Sequence, residues 1–175
     1  MADINYTVGD IEARCGNDNA NGVKPLVYVT TEPEVDTIPA ATNLVVSTAI
    51  TMAAANPPSL PVAGSFKVWN ISKVLDKNTF KTESVGDLDS SILKTTVELI
   101  VPKVTADRMW AARGGCSHIL IVTDYNGTQY IVGEKGNGAT PQYSQEISGS
   151  TNQIKLIFEW NSGHPPYVYT GAIPA

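Results

Sequence analysis

Apolar side chains recur at every second position through most of this chain, and that period confines it to sheet. The cleanest run is 154–160, where Ile154, Leu156, Phe158 and Trp160 point one way and Lys155 and Glu159 the other. A second run covers 92–101, where Leu93, Val97, Leu99 and Val101 alternate with Lys94, Thr96 and Glu98. Residues 118–132 read as a hairpin: His118-Ile119-Leu120-Ile121-Val122, then Asn126-Gly127, then Thr128-Gln129-Tyr130-Ile131-Val132. Asn-Gly predicts a type I′ turn there, because both central positions of that turn need positive φ. Further strands are expected at 25–30, 43–52, 64–74, 141–147 and 166–170. Within 66–71 the apolar phase switches after Val68, which predicts either a bulge or a Trp69 lying on a covered face.

One segment breaks the pattern. Residues 105–113 read as a short helix, with Thr105 as N-cap, Asp107 near the positive end, Arg113 near the negative end and Gly114 as the left-handed stop. Two turns are not stable alone, so this helix must pack on the sheet through Met109 and Ala112, with Trp110 in the core. Two regions look irregular. Residues 1–22 read as a flexible acidic arm, and 75–91 as a long polar connection carrying three isolated apolar side chains, Phe80, Val85 and Leu88. A connection of that length in a compact domain usually has a role. With 175 residues and no internal repeat, the rest of the chain, 23–175, is expected to form a single domain.

Charge and residue inventory narrow the function. The formal net charge of -5 resides in residues 1–36, where seven acids face two bases; the remainder is balanced. No basic cluster is dense enough to grip phosphates, so tight nucleic-acid binding is not expected. No stretch reaches the roughly 18 apolar residues of a membrane helix, so membrane insertion is not expected either. The first ten residues lack the basic-then-apolar order of a signal peptide, which points to synthesis and retention in a cytosol. Cys15 and Cys116 are then expected as free thiols, although spacing alone does not decide it. His118 and His164 have no Cys, Asp or Glu at metal-ligand spacing and read as structural or exposed. Residues 133–138 (Gly-Glu-Lys-Gly-Asn-Gly) join two strands and read as a turn rather than a phosphate cradle. Asp87 and Asp89 beside Gly86 could touch a cation, but nothing marks a nucleophile. No metal, cofactor or enzymatic activity is expected, and an all-β binding or structural domain is.

The order of several segments carries a resemblance. Thr82-Glu83-Ser84-Val85-Gly86-Asp87, then 94–107 from Lys94-Thr95-Thr96-Val97-Glu98 to Thr105-Ala106-Asp107, then the helical stretch, resemble tail-tube proteins of tailed phages. The hairpin after it, with Asp124-Tyr125-Asn126-Gly127, is similar to the family's segment after the helix. So are Asn152 to Trp160 and the closing Tyr167-Val168-Tyr169-Thr170-Gly171. The resemblance spans about residues 22–171. The Ala/Pro-rich stretch 53–58 and the polar arm depart from it.

The resemblance implies two packed antiparallel sheets with one flanking helix near 105–113. It also implies self-assembly into rings, usually hexamers, stacked into a virion tail tube put together in the host cytoplasm. The partners would be further copies of the chain and other tail or neck proteins, with DNA passing through without being held. Under it, Phe80, Val85 and Leu88 are expected at inter-subunit contacts. Two rival readings stay open at this stage. One is a neck, terminator or contractile-injection tube protein of the same fold, and the other is a secreted carbohydrate-binding β-sandwich that uses Trp and Tyr as stacking platforms.

Overall fold

In a sheet buried on one face only, side chains alternate; in a strand covered on both faces, they run apolar without a break. Both patterns occur here and they set the layers. The computed structural model describes residues 22–56, 63–73, 77–86, 91–102, 116–148, 150 and 152–174. Its strands are β1 (Val23–Thr31), β2 (Val35–Thr37), β3 (Val45–Val46), β4 (Thr51–Met52), β5 (Lys67–Asn70) and β6 (Thr79–Val85). They continue as β7 (Ile92–Pro102), β8 (His118–Asp124), β9 (Gln129–Val132), β10 (Thr140–Ile147), β11 (Asn152–Ser162) and β12 (Tyr167–Tyr169). A six-stranded sheet has the order β3-β12-β9-β8-β1-β5, a four-stranded sheet β10-β11-β7-β6, and β2 pairs with β4. The pairings are antiparallel except β12 with β3. The molecule is therefore an all-β stack of packed sheets, and among the described residues none closes into a barrel.

Two apolar layers sandwich the six-stranded sheet. On one face Val27, Val29, Leu120, Val122 and Val132 meet Val97, Leu99, Val101, Ile154, Leu156, Phe158 and Trp160 of the four-stranded sheet. On the other, Val46, Ile119, Ile121, Ile131 and Tyr169 of the sheet are covered by Val35, Ile50 and Phe66. β8 lies between the layers, which is why residues 119–122 read as an unbroken apolar run. Tyr169 ties the second layer together: its hydroxyl donates to the Ala172 carbonyl at 2.5 Å and accepts from the Ile50 amide at 3.3 Å.

Several sequence expectations need correction. Residues 79–85 are not part of a loop. They form β6, in register with β7 from Thr79↔Glu98 to Val85↔Ile92. Its Lys-Thr-Glu-Ser composition hid the strand, because an edge strand with a solvated face needs no apolar alternation. The expected strand at 43–52 splits into β3 and β4, and the one at 64–74 shortens to β5. β5 pairs with β1 without a register shift, so there is no bulge; Trp69 instead sits half-buried against the first layer, its ring centroid 6.1 Å from that of Phe158. The hairpin between β8 and β9 is present, but its turn is not type I′. Gly127 alone has positive φ (91°), and its amide donates to the Asp124 carbonyl at 3.1 Å. Asp124 also accepts from the Thr128 amide through Oδ1 at 2.8 Å, and that side-chain bond selects the longer loop. The helix expected at 105–113 lies outside the described residues, as do the arm through residue 21, Cys15 and Leu88. Cys116 is an exposed free thiol.

The two-residue turn with both φ positive occurs where no glycine marks it. Asn43 (φ 51°) and Leu44 (φ 63°) are closed by reciprocal backbone bonds between Thr42 and Val45 at 2.9 and 3.0 Å. A left-handed non-glycine residue costs roughly 1–2 kcal/mol, and glycine's extra unfolded-state entropy returns about 0.5–1 kcal/mol of that. Leu44→Gly is therefore expected to stabilise the protein by up to about 1 kcal/mol, a rise of roughly 2–4 °C in melting temperature. Thermal unfolding followed by circular dichroism checks this; a lower melting temperature would mean that the leucine side chain makes contacts worth more than its strain.

Candidate assembly surface

The solvent face of the four-stranded sheet carries an ordered set of ion pairs. One face is the core layer. On the other, Lys94 pairs with Glu159 at 2.7 Å, Lys155 with Glu98 at 2.9 Å and Lys81 with Glu83 at 2.5 Å. The Lys81 ammonium holds the Glu83 carboxyl below the ordinary carboxylate range. The first two pairs cross from β7 to β11 on a diagonal, the sheet counterpart of helical i,i+4 pairing. Each of these three lysines is thus matched to a carboxylate.

Both sides of this sheet end in open strands. β6 and β10 are seven and eight residues long and largely exposed, and among the described residues no further strand pairs with either. Apolar side chains sit at opposite corners. Val85 (43% exposed) lies beside Ile92 (45%) at the end of the β6 edge, on the solvent face. Tyr143 (51%) and Ile147 (64%) lie on β10, where direct pairing of Tyr143 with Leu156 puts them on the core-layer face, projecting past the cover of the six-stranded sheet.

The three residues singled out from sequence do not form one patch. Phe80 faces the core layer, half-buried, stacked on Tyr130 of its own chain with centroids 5.1 Å apart. Val85, five residues on along a period-two strand, faces the opposite side. Leu88 lies outside the described residues. Ile92, Tyr143 and Ile147 were not picked out from sequence. The usable signal was Pro141: a proline inside a strand marks an edge, since it cannot donate to a ladder, and the odd positions after it carry the exposed apolar groups.

A second cluster joins two loops. The turn at 133–138 closes through reciprocal Glu134–Asn137 backbone bonds of 3.0 and 3.1 Å, so it is the turn expected from its glycines. It brings Glu134 Oε1 to 2.9 Å from His164 Nε2, while His164 Nδ1 sits 2.9 Å from the Pro165 carbonyl. Tyr167 stacks on the imidazole at 4.3 Å, its hydroxyl 3.1 Å from Nε2, and burial followed by the Glu134 charge raises the phenol's pKa. Lys135 reaches across to the Val35 and Glu32 carbonyls at 2.7 and 3.3 Å, pinning the segment over the second apolar layer. A cavity of about 310 Å³ lies between residues 36–41, Glu134, Lys135 and Tyr167. Ser162 is close by, but its hydroxyl bonds to the His164 backbone rather than the ring, and both ring nitrogens already face acceptors. These three side chains are not wired as a nucleophile, base and orienting acid.

His118 is buried at 4% exposure, edge-on to Phe158, and among the described residues its Nδ1 has no hydrogen-bond partner. Desolvation lowers its pKa, and the Cys116 backbone and the Glu34 charge oppose that shift only in part. The folded state therefore disfavours the proton. This contribution to stability is full above the unfolded value of about 6.5 and is lost as pH falls through the lowered folded value. His118→Leu is expected to flatten the decline of the urea midpoint just below neutrality relative to wild type. Parallel wild-type and variant profiles would remove His118 as its source.

No family model, curated protein or solved structure matches this chain.

Proposed function

We propose that this protein is a structural subunit that assembles head-to-tail into rings stacked as a phage tail tube, through which DNA passes. The observation that carries the reading is the four-stranded sheet with two open, staggered edges. Its strands alternate in direction and are even in number, so β6 of one copy beside β10 of the next continues the antiparallel alternation. That contact is heterologous, and a heterologous contact that closes makes a ring. β6 spans the β7 register from Ile92 to Glu98, whereas β10 lies opposite β11 from Asn152 to Glu159, toward the other end. Repeated around a ring, that offset supplies the stagger a closed barrel requires.

Tyr143 and Ile147 share a face with Phe80, so joined sheets extend one apolar layer across the junction, with Phe80 of one copy beside β10 of its neighbour. Six copies would give roughly 24 strands, beyond the number at which barrels enclose an aqueous channel. The face with matched lysines and glutamates would line it, and with few free cations to release phosphate counterions it would let a duplex slide. Closure would also remove edges that otherwise invite aggregation.

Negative-stain electron microscopy and sedimentation of the full chain test this. Tubes or stacked rings are the expected result. Isolated rings that never stack would favour a neck or terminator component, and a persistent monomer at high concentration would sink the reading.

A further inference from the structure

The cavity of about 310 Å³ between residues 36–41 and the 133–138 turn plays no part in the tube reading, yet its walls are well defined. Its apolar side is fixed in place. Ile38, Ala41 and Tyr167 line it, and each packs against the second apolar layer. The volume falls at the lower end of the range for small-ligand pockets, roughly 300–1,000 Å³.

The polar side carries unbalanced charge. Asp36, Glu134 and Lys135 line the cavity, and Glu32 pairs with Lys135 from behind. The Lys135 ammonium is fully committed: it faces the Val35 carbonyl at 2.7 Å, the Glu32 carbonyl at 3.3 Å and the Glu32 carboxylate at 3.4 Å. That leaves no hydrogen on it for an anionic ligand. Asp36 is exposed at the rim and, among the described residues, is in no ion pair. Glu134 meets His164 Nε2 at 2.9 Å, a bond that a neutral imidazole donates without cancelling the carboxylate's charge. That charge reaches the apolar wall too, where it adds to burial in raising the Tyr167 phenol's pKa. Three carboxylates thus stand against one ammonium. The corner already holds the chain's own Lys135 through carbonyls and a carboxylate, and it keeps negative charge to spare.

We infer that this cavity binds a small organic cation, an ammonium or guanidinium carried on a short aliphatic stem. The stem lies against Ile38, Ala41 and the Tyr167 ring, and the head faces Asp36 and Glu134. Lysine and arginine side chains have this make-up, an apolar stem with a charged head, and so does a free aliphatic amine. The site stands apart from the tube reading, since a single subunit contains all of it.

The test is titration of the full chain with n-butylammonium at neutral pH, followed through amide NMR shifts. Saturable shifts around Ile38, Ala41 and Tyr167 are expected, and none with 1-butanol or butanoate at the same concentrations. Asp36→Asn is expected to weaken binding about three- to fivefold, the scale of a solvent-exposed charge pair. Ala41→Leu, which fills the cavity, should abolish binding; if that variant does not fold, Asp36→Asn decides alone. N-acetyl-lysine methylamide separates the two sources. Binding at least as tight as that of n-butylammonium assigns the site to a basic side chain of a polypeptide, and weaker binding assigns it to a free amine. The inference is overturned by the absence of saturable shifts, by equal shifts with 1-butanol, or by unchanged affinity in Asp36→Asn.

Discussion

A Tyr143→Ser, Ile147→Asp variant is expected to fold with the melting temperature of the parent and to form no rings or tubes. In the single subunit these side chains are 51% and 64% exposed, and substitutions at such positions usually change stability by no more than about 0.5 kcal/mol. At a junction between copies the accounting differs. Burying each large apolar side chain contributes about 1.5–3 kcal/mol, so the pair supplies roughly 3–6 kcal/mol per interface. An aspartate placed in the same layer adds an unpaired charge that resists burial. Weakening every interface by several powers of ten leaves no closed ring. Phe80→Ala is the internal control, because its stack on Tyr130 belongs to the subunit; it should lower the melting temperature. If the Tyr143/Ile147 variant assembles normally, β10 is not the joining edge.

How much of this was readable beforehand follows from where each residue stands relative to water. β7 and β11 were legible because one face is core and the other solvent, so Leu99 and Leu156 alternate with Glu98 and Lys155. β8 was legible as a strand from its apolar run, although only the fold explains why it has no polar face. β6 was missed because an edge strand of the sandwich needs little burial beyond Phe80, and Lys81, Thr82, Glu83 and Ser84 resemble a loop. The same cause hid the surface at Tyr143 and Ile147, whose exposure depends on the six-stranded sheet stopping short of β10. The cluster of Glu134, His164 and Tyr167 joins residues thirty positions apart, and no local spacing announces a contact made by two turns meeting. The Asn43–Leu44 turn ran against composition altogether, since backbone pairing between Thr42 and Val45 overrode the preference for glycine.

The largest single loss of stability is expected at Trp160. Its side chain is 1% exposed within the layer shared by both sheets. Its indole N–H donates to the Asn137 carbonyl at 2.8 Å and its ring meets His164 edge-on at 5.5 Å. One side chain therefore fastens the core, the 133–138 turn and the 163–166 loop. Trp160→Ala removes the ring and leaves a cavity, a change that costs about 3–5 kcal/mol in comparable cores. Against a total stability of roughly 5–15 kcal/mol, that removes a large fraction and could leave the subunit unfolded at ambient temperature. Trp160→Phe separates the two contributions. It keeps most of the apolar volume and loses only the indole hydrogen bond to the Asn137 carbonyl, which still accepts from the Glu134 amide, a net loss of about 0.5–1.5 kcal/mol. Urea unfolding of both variants gives the comparison. An alanine variant within about 1 kcal/mol of wild type would show that the site collapses around the missing ring, and the joining role assigned to Trp160 would fall.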